Sequence, residues 1–243
     1  MNDLNIFLLM GQSNMVGRAL LAEVEPLTHP HIRAFKHESW QPAEEPLHDN
    51  KEGLGTGLGM TFALELLKHD ESVDIGLIPC AEGGTRLERW EPGADLYSRA
   101  LRMAGAARSG GTVKGILWHQ GEGDARSAEL ADTYFDRFTA MIGALRRDLG
   151  GKGPVPVIIG ELGRFLGGHE ESETLFVGCR TVNDALKQAA QTLPAAGFAS
   201  SEDLEDKGDN VHFNSVSLRE FGRRYGREFL AVAKREGIEL ENR

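Results

Sequence analysis

The sequence predicts an α/β fold in which a parallel sheet is covered on both faces by helices. Short apolar runs rich in β-branched residues alternate with longer segments of helical period along the chain. The apolar runs carry little polar alternation, which is typical of strands buried on both faces. A length of 243 residues with 40% hydrophobic content suffices for one core, and no repeat or linker divides the chain. We therefore expect one domain over residues 1–243.

Strands and helices are expected in alternation. The strand candidates are residues 5–10, 73–78, 114–119, 155–160 and 197–200. The helix candidates are residues 59–68, 96–108, 130–149, 181–193 and 217–235, and the third shows the clearest apolar stripe. Residues 20–56, which contain four prolines, and residues 163–180, with Gly167 and Gly168, are predicted to be surface loops that can wall a site.

Charge and cysteine content narrow the class of protein. The net charge of -10 argues against a nucleic-acid partner, because phosphate binding needs clustered Lys and Arg. The first apolar run, residues 6–10, is too short for a signal peptide or a membrane span. Cys80 and Cys179 lack metal-ligand spacing and are interpreted as buried thiols in a reducing compartment. We expect a cytoplasmic protein without a membrane partner, and the oligomeric state stays open.

The first strand candidate is followed by GQSNM, which places Ser13 at a strand-to-loop junction. In an open parallel sheet, chemistry takes place at the carboxyl ends of the strands. Met15 occupies the second glycine position of a GxSxG elbow, which argues against an ordinary α/β-hydrolase. Ser13 is therefore a candidate nucleophile, and the alternative is that it caps the following helix.

The next two strand candidates also end in unusual segments. Gly83 and Gly84 follow the second strand, where their backbone N–H groups can approach an oxyanion, although a plain turn after a strand is the commoner explanation for such a pair. WHQGEGD follows the third strand, and the amide of Gln120 is a side-chain type that can face developing negative charge. A metal site at His119, Glu122 and Asp124 is the alternative. No second histidine stands at HExxH spacing, so no metal is expected.

The last strand candidate leads into DNVHFN, where Asp209 and His212 stand three residues apart. An aspartate that accepts from one imidazole nitrogen fixes the tautomer and leaves the other nitrogen free to take a serine proton. The alternative is that Asp209 merely belongs to an acidic surface run. Ser13, Gly84, Gln120 and His212 all follow successive strands, so we expect them at one edge of the sheet.

The order of these blocks resembles the SGNH hydrolases, and GQSNM, EGGT, HQGE and DNVHFN together resemble carbohydrate esterase family 6, the sialate O-acetylesterase-like and acetylxylan-esterase-like group. The resemblance implies a three-layer αβα sandwich of flavodoxin-like type, here with a five-stranded parallel sheet, and neither metal nor organic cofactor. It implies that Ser13 is the nucleophile, His212 the base and Asp209 its partner. It also implies an oxyanion hole formed by the N–H groups of Ser13 and Gly84 and the side chain of Gln120.

The expected function is hydrolysis of O-acetyl esters of small carbohydrates, of sialic acid or xylo-oligosaccharide type, through an acetyl-enzyme. The alternatives are an esterase acting on lipid, thioester or aryl esters, and a non-catalytic carbohydrate-binding protein. Arg86, Trp40 and Trp90 are candidates for the sugar-binding wall, with packing or surface charge as the alternative. Glu122 competes with Asp209 for the role of orienting His212. Asp209 is favoured because a DxxH turn brings the two side chains together.

Overall fold

The apolar runs of the sequence form one sheet of seven strands. The computed structural model describes residues 4–49, 53–151, 153–167 and 175–242. The strands are β1 (Leu4–Gly11), β2 (Ile32–Lys36), β3 (Ser39–Pro42), β4 (Ile75–Pro79), β5 (Gly111–His119), β6 (Val157–Gly160) and β7 (Ala196–Ala199). Their order across the sheet is β3-β2-β4-β1-β5-β6-β7. All neighbouring strands are parallel except β2 and β3, which are antiparallel.

Strand β1 shows why the apolar runs lack polar alternation. Ile6 and Leu8 point into one hydrophobic core, whereas Phe7 and Leu9 point into the other, and all four are buried. Successive side chains of a strand point to opposite faces of the sheet, so a strand between two helical layers must be apolar at every position. The sequence pattern therefore reports burial on both faces.

Helices cover both faces, as predicted. They are α1 (Ser13–Val16), α2 (Gly59–His69), α3 (Asp95–Ala107), α4 (Ala128–Asp132), α5 (Tyr134–Leu149), α6 (Cys179–Thr192) and α7 (Ser215–Glu236). Helices α2 and α7 pack together in the core that contains Phe7, and α3, α5 and α6 form the opposite layer. None of the helices in the described ranges combines the length and the apolar composition that a membrane crossing requires.

The sheet has seven strands rather than the five expected, because the predicted loop over residues 20–56 contains β2 and β3. His37 and Glu38 join these two strands in a tight turn with φ values of 48° and 58°. Such turns usually carry Asn or Gly, so this pair gives no turn signal. Pro42 ends the edge strand β3, where a missing N–H is tolerated. Of the second predicted loop, residues 168–174 lie outside the described residues.

The parallel strands place the polar segments at a topological switch point. The chain order of β4, β1, β5, β6 and β7 across the sheet is the flavodoxin-like order, which reverses between β1 and β5. Gly11 and His119 are register partners at the carboxyl ends of these two strands. A Cβ on Gly11 would lie 2.0 Å from the carbonyl oxygen of His119, so only glycine allows this approach. The chain therefore leaves β1 directly beside the end of β5.

Candidate active site

Ser13 begins the single turn of α1 just beyond β1, and its hydroxyl points towards a loop from the far end of the chain. The Oγ atom lies 2.9 Å from Nε2 of His212. The residue that precedes the helix is Gln12, and no side chain caps this helix end. Ser13 is thus not a helix cap in the structure. Its hydroxyl is placed to donate a proton to an imidazole.

Asp209 holds the other side of the His212 ring. Its Oδ2 lies 2.7 Å from Nδ1 of His212, and its Oδ1 accepts hydrogen bonds from the backbone N–H groups of Val211 and His212 at 3.0 and 2.7 Å. Partial burial acts to raise the pKa of Asp209, but hydrogen bonds from the His212 ring and these two N–H groups outweigh it and lower the pKa to about 2. The aspartate is therefore ionised and fixes Nδ1–H as the donor.

Glu122 does not contact the His212 ring. Its Oε1 accepts a hydrogen bond of 2.8 Å from Nδ2 of Asn14 and lies 3.4 Å from Nε2 of His119. Burial acts to raise the pKa of Glu122, but the nearby His119 ring and the hydrogen bond from the Asn14 amide bring it below its ordinary value. Of the two carboxylates that compete for His212 in the sequence, the geometry places Asp209 on the ring.

The expected oxyanion donors do not all face the pocket. Gly84 adopts a φ of +70°, and neither its N–H nor that of Ser13 has a hydrogen-bond partner among the described residues. Gln120 is fully buried, and its Nε2 donates to Oδ2 of Asp124 at 2.8 Å and to the carbonyl of Thr85 at 3.0 Å. Both amide hydrogens of Gln120 are thus engaged behind the site. Among the described residues, the N–H groups of Ser13 and Gly84 are therefore unpaired at the pocket, whereas the Gln120 side chain is bonded to other residues.

The three polar residues weighed as a metal site are not brought together. His119 and Glu122 are neighbours, but Asp124 accepts hydrogen bonds from the backbone N–H of Leu87 at 2.8 Å and from Arg137 at 3.3 Å. Within the described ranges, no group of three or more His, Cys, Asp or Glu side chains is arranged to hold a metal ion.

Ser13 and His212 open into a pocket of about 640 Å³, a volume that suits a small molecule. Among the described residues, four cationic side chains line it: Arg18, Arg86, Arg126 and Lys207. Of these, only Arg86 is predicted from the sequence, because the other three stand in separate segments without a shared pattern. Arg126 lies 5.1 Å above the ring of Phe176, which also lines the pocket.

The two tryptophans expected in the sugar-binding wall lie elsewhere. Trp90 is fully buried, donates from Nε1 to the hydroxyl of Thr85 at 3.2 Å and packs edge-on against Trp118. Trp40 packs against Phe35 and donates from Nε1 to the carbonyl of Ala107 at 3.3 Å. Neither lines the pocket, because the indole of each serves the packing between the sheet and its helices.

Comparison with known proteins supports the fold and the family. The family model described as carbohydrate esterase, sialic acid-specific acetylesterase, matches residues 3–231. A probable carbohydrate esterase of Arabidopsis thaliana is 37% identical over an alignment of 166 residues, which covers 59% of this chain. The match spans 64% of the length of that plant protein.

Solved structures share the architecture. An X-ray structure of an Arabidopsis thaliana protein is similar with a TM-score of 0.83 and 29% identity, over 93% of this chain and 98% of that chain. NanS is similar with a TM-score of 0.76 and 18% identity, over 96% of this chain and 98% of its own. A carbohydrate acetylesterase from Xanthomonas citri gives 0.69 and 23%, over 95% and 57% of the respective chains. Because the family model covers nearly the whole sequence, the chain belongs to the carbohydrate esterases of the sialic acid-specific acetylesterase family.

Proposed function

We propose that the protein is a serine esterase that hydrolyses O-acetyl esters of carbohydrates through an acetyl-enzyme intermediate. One observation carries the proposal: a continuous chain of hydrogen bonds joins Ser13, His212 and Asp209, with distances of 2.9 and 2.7 Å, at the wall of a pocket. A hydroxyl held against an imidazole that an aspartate orients is the arrangement that activates serine for acyl transfer.

In the proposed reaction, Nε2 of His212 removes the Ser13 proton as Oγ attacks the acetyl carbonyl carbon. The C=O π electrons move to the carbonyl oxygen, and the tetrahedral intermediate collapses as the sugar oxygen leaves with the proton from His212. Water then attacks the acetyl-enzyme with the same proton transfers, which releases acetate and restores Ser13. Asp209 keeps the ring in one tautomer and stabilises the imidazolium that forms.

The N–H groups of Ser13 and Gly84 are the proposed donors to the oxyanion. Neither group has a hydrogen-bond partner among the described residues, and both residues line the pocket. Preorganised backbone donors need no reorientation when negative charge develops. Each donor of this kind accounts for about 10²- to 10³-fold in turnover.

The pocket charge favours an acidic sugar over a neutral one. Although the chain carries a net charge of -10, the described residues that line the pocket include four cations, Arg18, Arg86, Arg126 and Lys207, and one carboxylate, Glu122. Nζ of Lys207 also lies 3.5 Å from Oδ2 of Asp209. Cationic walls attract and orient an anionic substrate. The proposed substrate is therefore an O-acetylated sugar that bears a carboxylate, of the sialic acid type, rather than a neutral xylo-oligosaccharide.

The serine mechanism is tested by Ser13→Ala, which removes the nucleophile and almost no volume. We expect no turnover of a small acetyl ester and no covalent adduct with a serine-directed phosphonate, measured by mass spectrometry of the intact protein. Wild type should gain one phosphonyl group at Ser13. Unchanged turnover in the purified variant would contradict the proposal.

Substrate charge is tested by Arg86→Gln, with Arg102→Gln on the surface of α3 as the charge-matched control. Loss of one exposed cation should raise KM for an O-acetylated sialic acid by about two- to fivefold. It should leave KM for an acetylated xylo-oligosaccharide unchanged, and Arg102→Gln should change neither. If KM for the O-acetylated sialic acid equalled KM for the acetylated xylo-oligosaccharide in wild type, Arg86→Gln and Arg102→Gln alike, the proposed preference for an acidic sugar would be contradicted.

A further inference from the structure

Asn14, the residue after the proposed nucleophile, makes three hydrogen bonds while fully buried. Its Nδ2 donates to the carbonyl of Val211 at 3.2 Å and to Oε1 of Glu122 at 2.8 Å. Its Oδ1 accepts from the backbone N–H of Phe213 at 3.1 Å. Val211 and Phe213 flank His212, so one side chain beside Ser13 binds both peptide groups of the proposed base.

These contacts complete the restraint of His212. Each of its two peptide groups has one N–H and one carbonyl, and all four polar atoms are bound. Asn14 holds the carbonyl of Val211 and the N–H of Phe213, Oδ1 of Asp209 accepts from the N–H of His212 at 2.7 Å, and the N–H of Lys207 donates to the carbonyl of His212 at 2.8 Å. Asp209 and Lys207 belong to the same exposed loop as His212. Asn14 is the partner in this set that ties the loop to β1.

Glu122 and the peptide groups on both sides of His212 together determine which way the Asn14 amide faces. A carboxylate can only accept, so the NH2 group of Asn14 must face Glu122 and the amide oxygen must face Phe213. With Glu122 buried at this point, an aspartate in place of Asn14 would set two carboxylates against each other and a carboxylate against the Val211 carbonyl. The local charge therefore requires an amide.

We propose that Asn14 is a positioning residue that holds His212 at hydrogen-bond distance from Ser13 by binding the peptide groups on both sides of the histidine, with Glu122 as the acceptor that orients its amide. The inference rests on the proposed esterase function and extends it. Glu122 acts in this site through Asn14 and has no direct contact with the His212 ring. Displacement of a reacting group by about 1 Å can cost about 10²-fold in rate.

The test compares Asn14→Asp with Asn5→Asp, a matched change near the other end of β1. Asn5 is also fully buried, and its side chain also binds distant backbone: Nδ2 donates to the carbonyls of Asp74 and Glu241 at 3.2 and 2.9 Å, and Oδ1 accepts from the N–H of Glu241 at 2.8 Å. Both variants should lower the urea midpoint of unfolding. Asn14→Asp should lower kcat for a small acetyl ester by about 10²-fold with KM changed less than about threefold, whereas Asn5→Asp should keep the wild-type kcat.

A second readout separates positioning from loss of stability. The rate at which a phosphonate labels Ser13 depends on proton removal by the base, so Asn5→Asp should be labelled at the wild-type rate. Asn14→Asp should be labelled about 10²-fold more slowly at a temperature where the variant is folded by near-UV circular dichroism. Should Asn14→Asp fail to fold, Asn14→Ser replaces it with the same expected results, because serine cannot bridge both peptide groups.

The outcomes distinguish this inference from the proposed function. Wild-type kcat and labelling rate in a folded Asn14 variant would overturn the positioning role and leave the esterase intact. Equal losses of kcat in the Asn14 and Asn5 variants would also overturn it, because the effect would follow stability alone. Absence of both turnover and phosphonate labelling in wild type would overturn the esterase proposal itself.

Discussion

Two histidine–carboxylate pairs with the same spacing lie in this site, and their surroundings differ. Asp209 and His212 are 2.7 Å apart with side chains 38% and 22% exposed, and the free ring nitrogen meets Ser13. His119 and Glu122 are 3.4 Å apart with side chains 0% and 2% exposed. The ring of His119 packs edge-on against Phe213 and Phe221. The three-residue spacing therefore brings a histidine and a carboxylate together in both cases. What differs is the neighbour of the histidine ring and its access to the pocket, and these determine the role that each pair can have.

The difference follows from where each pair stands in the chain. His119 ends β5 and points into the layer of α7, where Nδ1 lies 3.3 Å from the hydroxyl of Tyr225. His212 lies in the loop before α7, which has solvent on one side and the pocket on the other. We propose that the exposed pair, Asp209 and His212, transfers protons. We propose that the buried pair, His119 and Glu122, stabilises the structure that surrounds the exposed pair.

The largest effect is expected when the exposed pair is broken. Asp209→Asn places an amide donor against Nδ1 of His212, which favours the wrong tautomer, and should lower kcat for an acetyl ester by about 10⁴-fold. Asp203→Asn is the control, since Asp203 is exposed in the same acidic run and its φ of 60° is one that asparagine adopts readily. If kcat fell by less than about tenfold in Asp209→Asn, the proposal that the two pairs have different roles would be contradicted.

A smaller loss of activity is expected when the buried pair is changed. In Glu122→Gln the new amide oxygen can still accept from Asn14, so kcat should fall by less than about tenfold. Replacing the buried carboxylate should lower the free energy of unfolding by about 1–3 kcal/mol, measured by urea denaturation. A fall in kcat as large as that of Asp209→Asn would show that Glu122 takes part in the reaction more directly than its contacts suggest.

The pH dependence of stability sharpens the comparison further. The pKa of Asp209 is lowered to about 2 in the folded protein, below its value of about 3.9 in unfolded chains. A lowered folded pKa contributes stability above the unfolded pKa, and this is lost as pH falls through the folded one. The difference in unfolding free energy between wild type and Asp209→Asn should therefore shrink as pH falls from about 4 towards 2. Urea denaturation across this range measures it, and a constant difference down to pH 2.5 would contradict the pKa shift.

Metal removal is expected to have no effect on turnover, which is the smallest effect in this series. The proposed chemistry uses N–H dipoles and an imidazole, so turnover should survive dialysis against EDTA. Zinc added afterwards should give no gain. Loss of activity with EDTA and recovery with zinc would mean that His119 and Glu122 belong to a metal site. The proposal that the buried pair has only a structural role would then be wrong.

Much of the fold was predictable because its strands are buried on both faces. The five strands and five helices expected from apolar runs and periodicity correspond to elements of the structure, although residues 130–149 divide into α4 and α5. The hairpin of β2 and β3 was missed, because His37 and Glu38 adopt positive φ without glycine or asparagine and the proline-rich segment resembles a loop.

The residues of the candidate site that belong to sequence motifs were predictable. The residues that only the fold brings together, from separate segments of the chain, were not. Ser13, Asp209 and His212 come together in the order that the motifs suggest. The pocket cations were mostly missed, since Arg18, Arg126 and Lys207 come from separate segments. Trp90 was misplaced because an aromatic residue after a strand can enter either a pocket or a core, and burial decides between them.

The hydrogen bond between Ser13 and His212 joins positions separated by 199 residues, near the two ends of the chain. Contacts between distant segments form late, because the entropy of closing the intervening chain must first be offset by the rest of the fold. During folding, Ser13 is an ordinary serine hydroxyl until α7 has packed and the loop before it has closed. Phosphonate labelling of Ser13 during refolding should therefore begin after the helical circular dichroism signal has recovered. The reactivity of this one hydroxyl would then report that folding is complete.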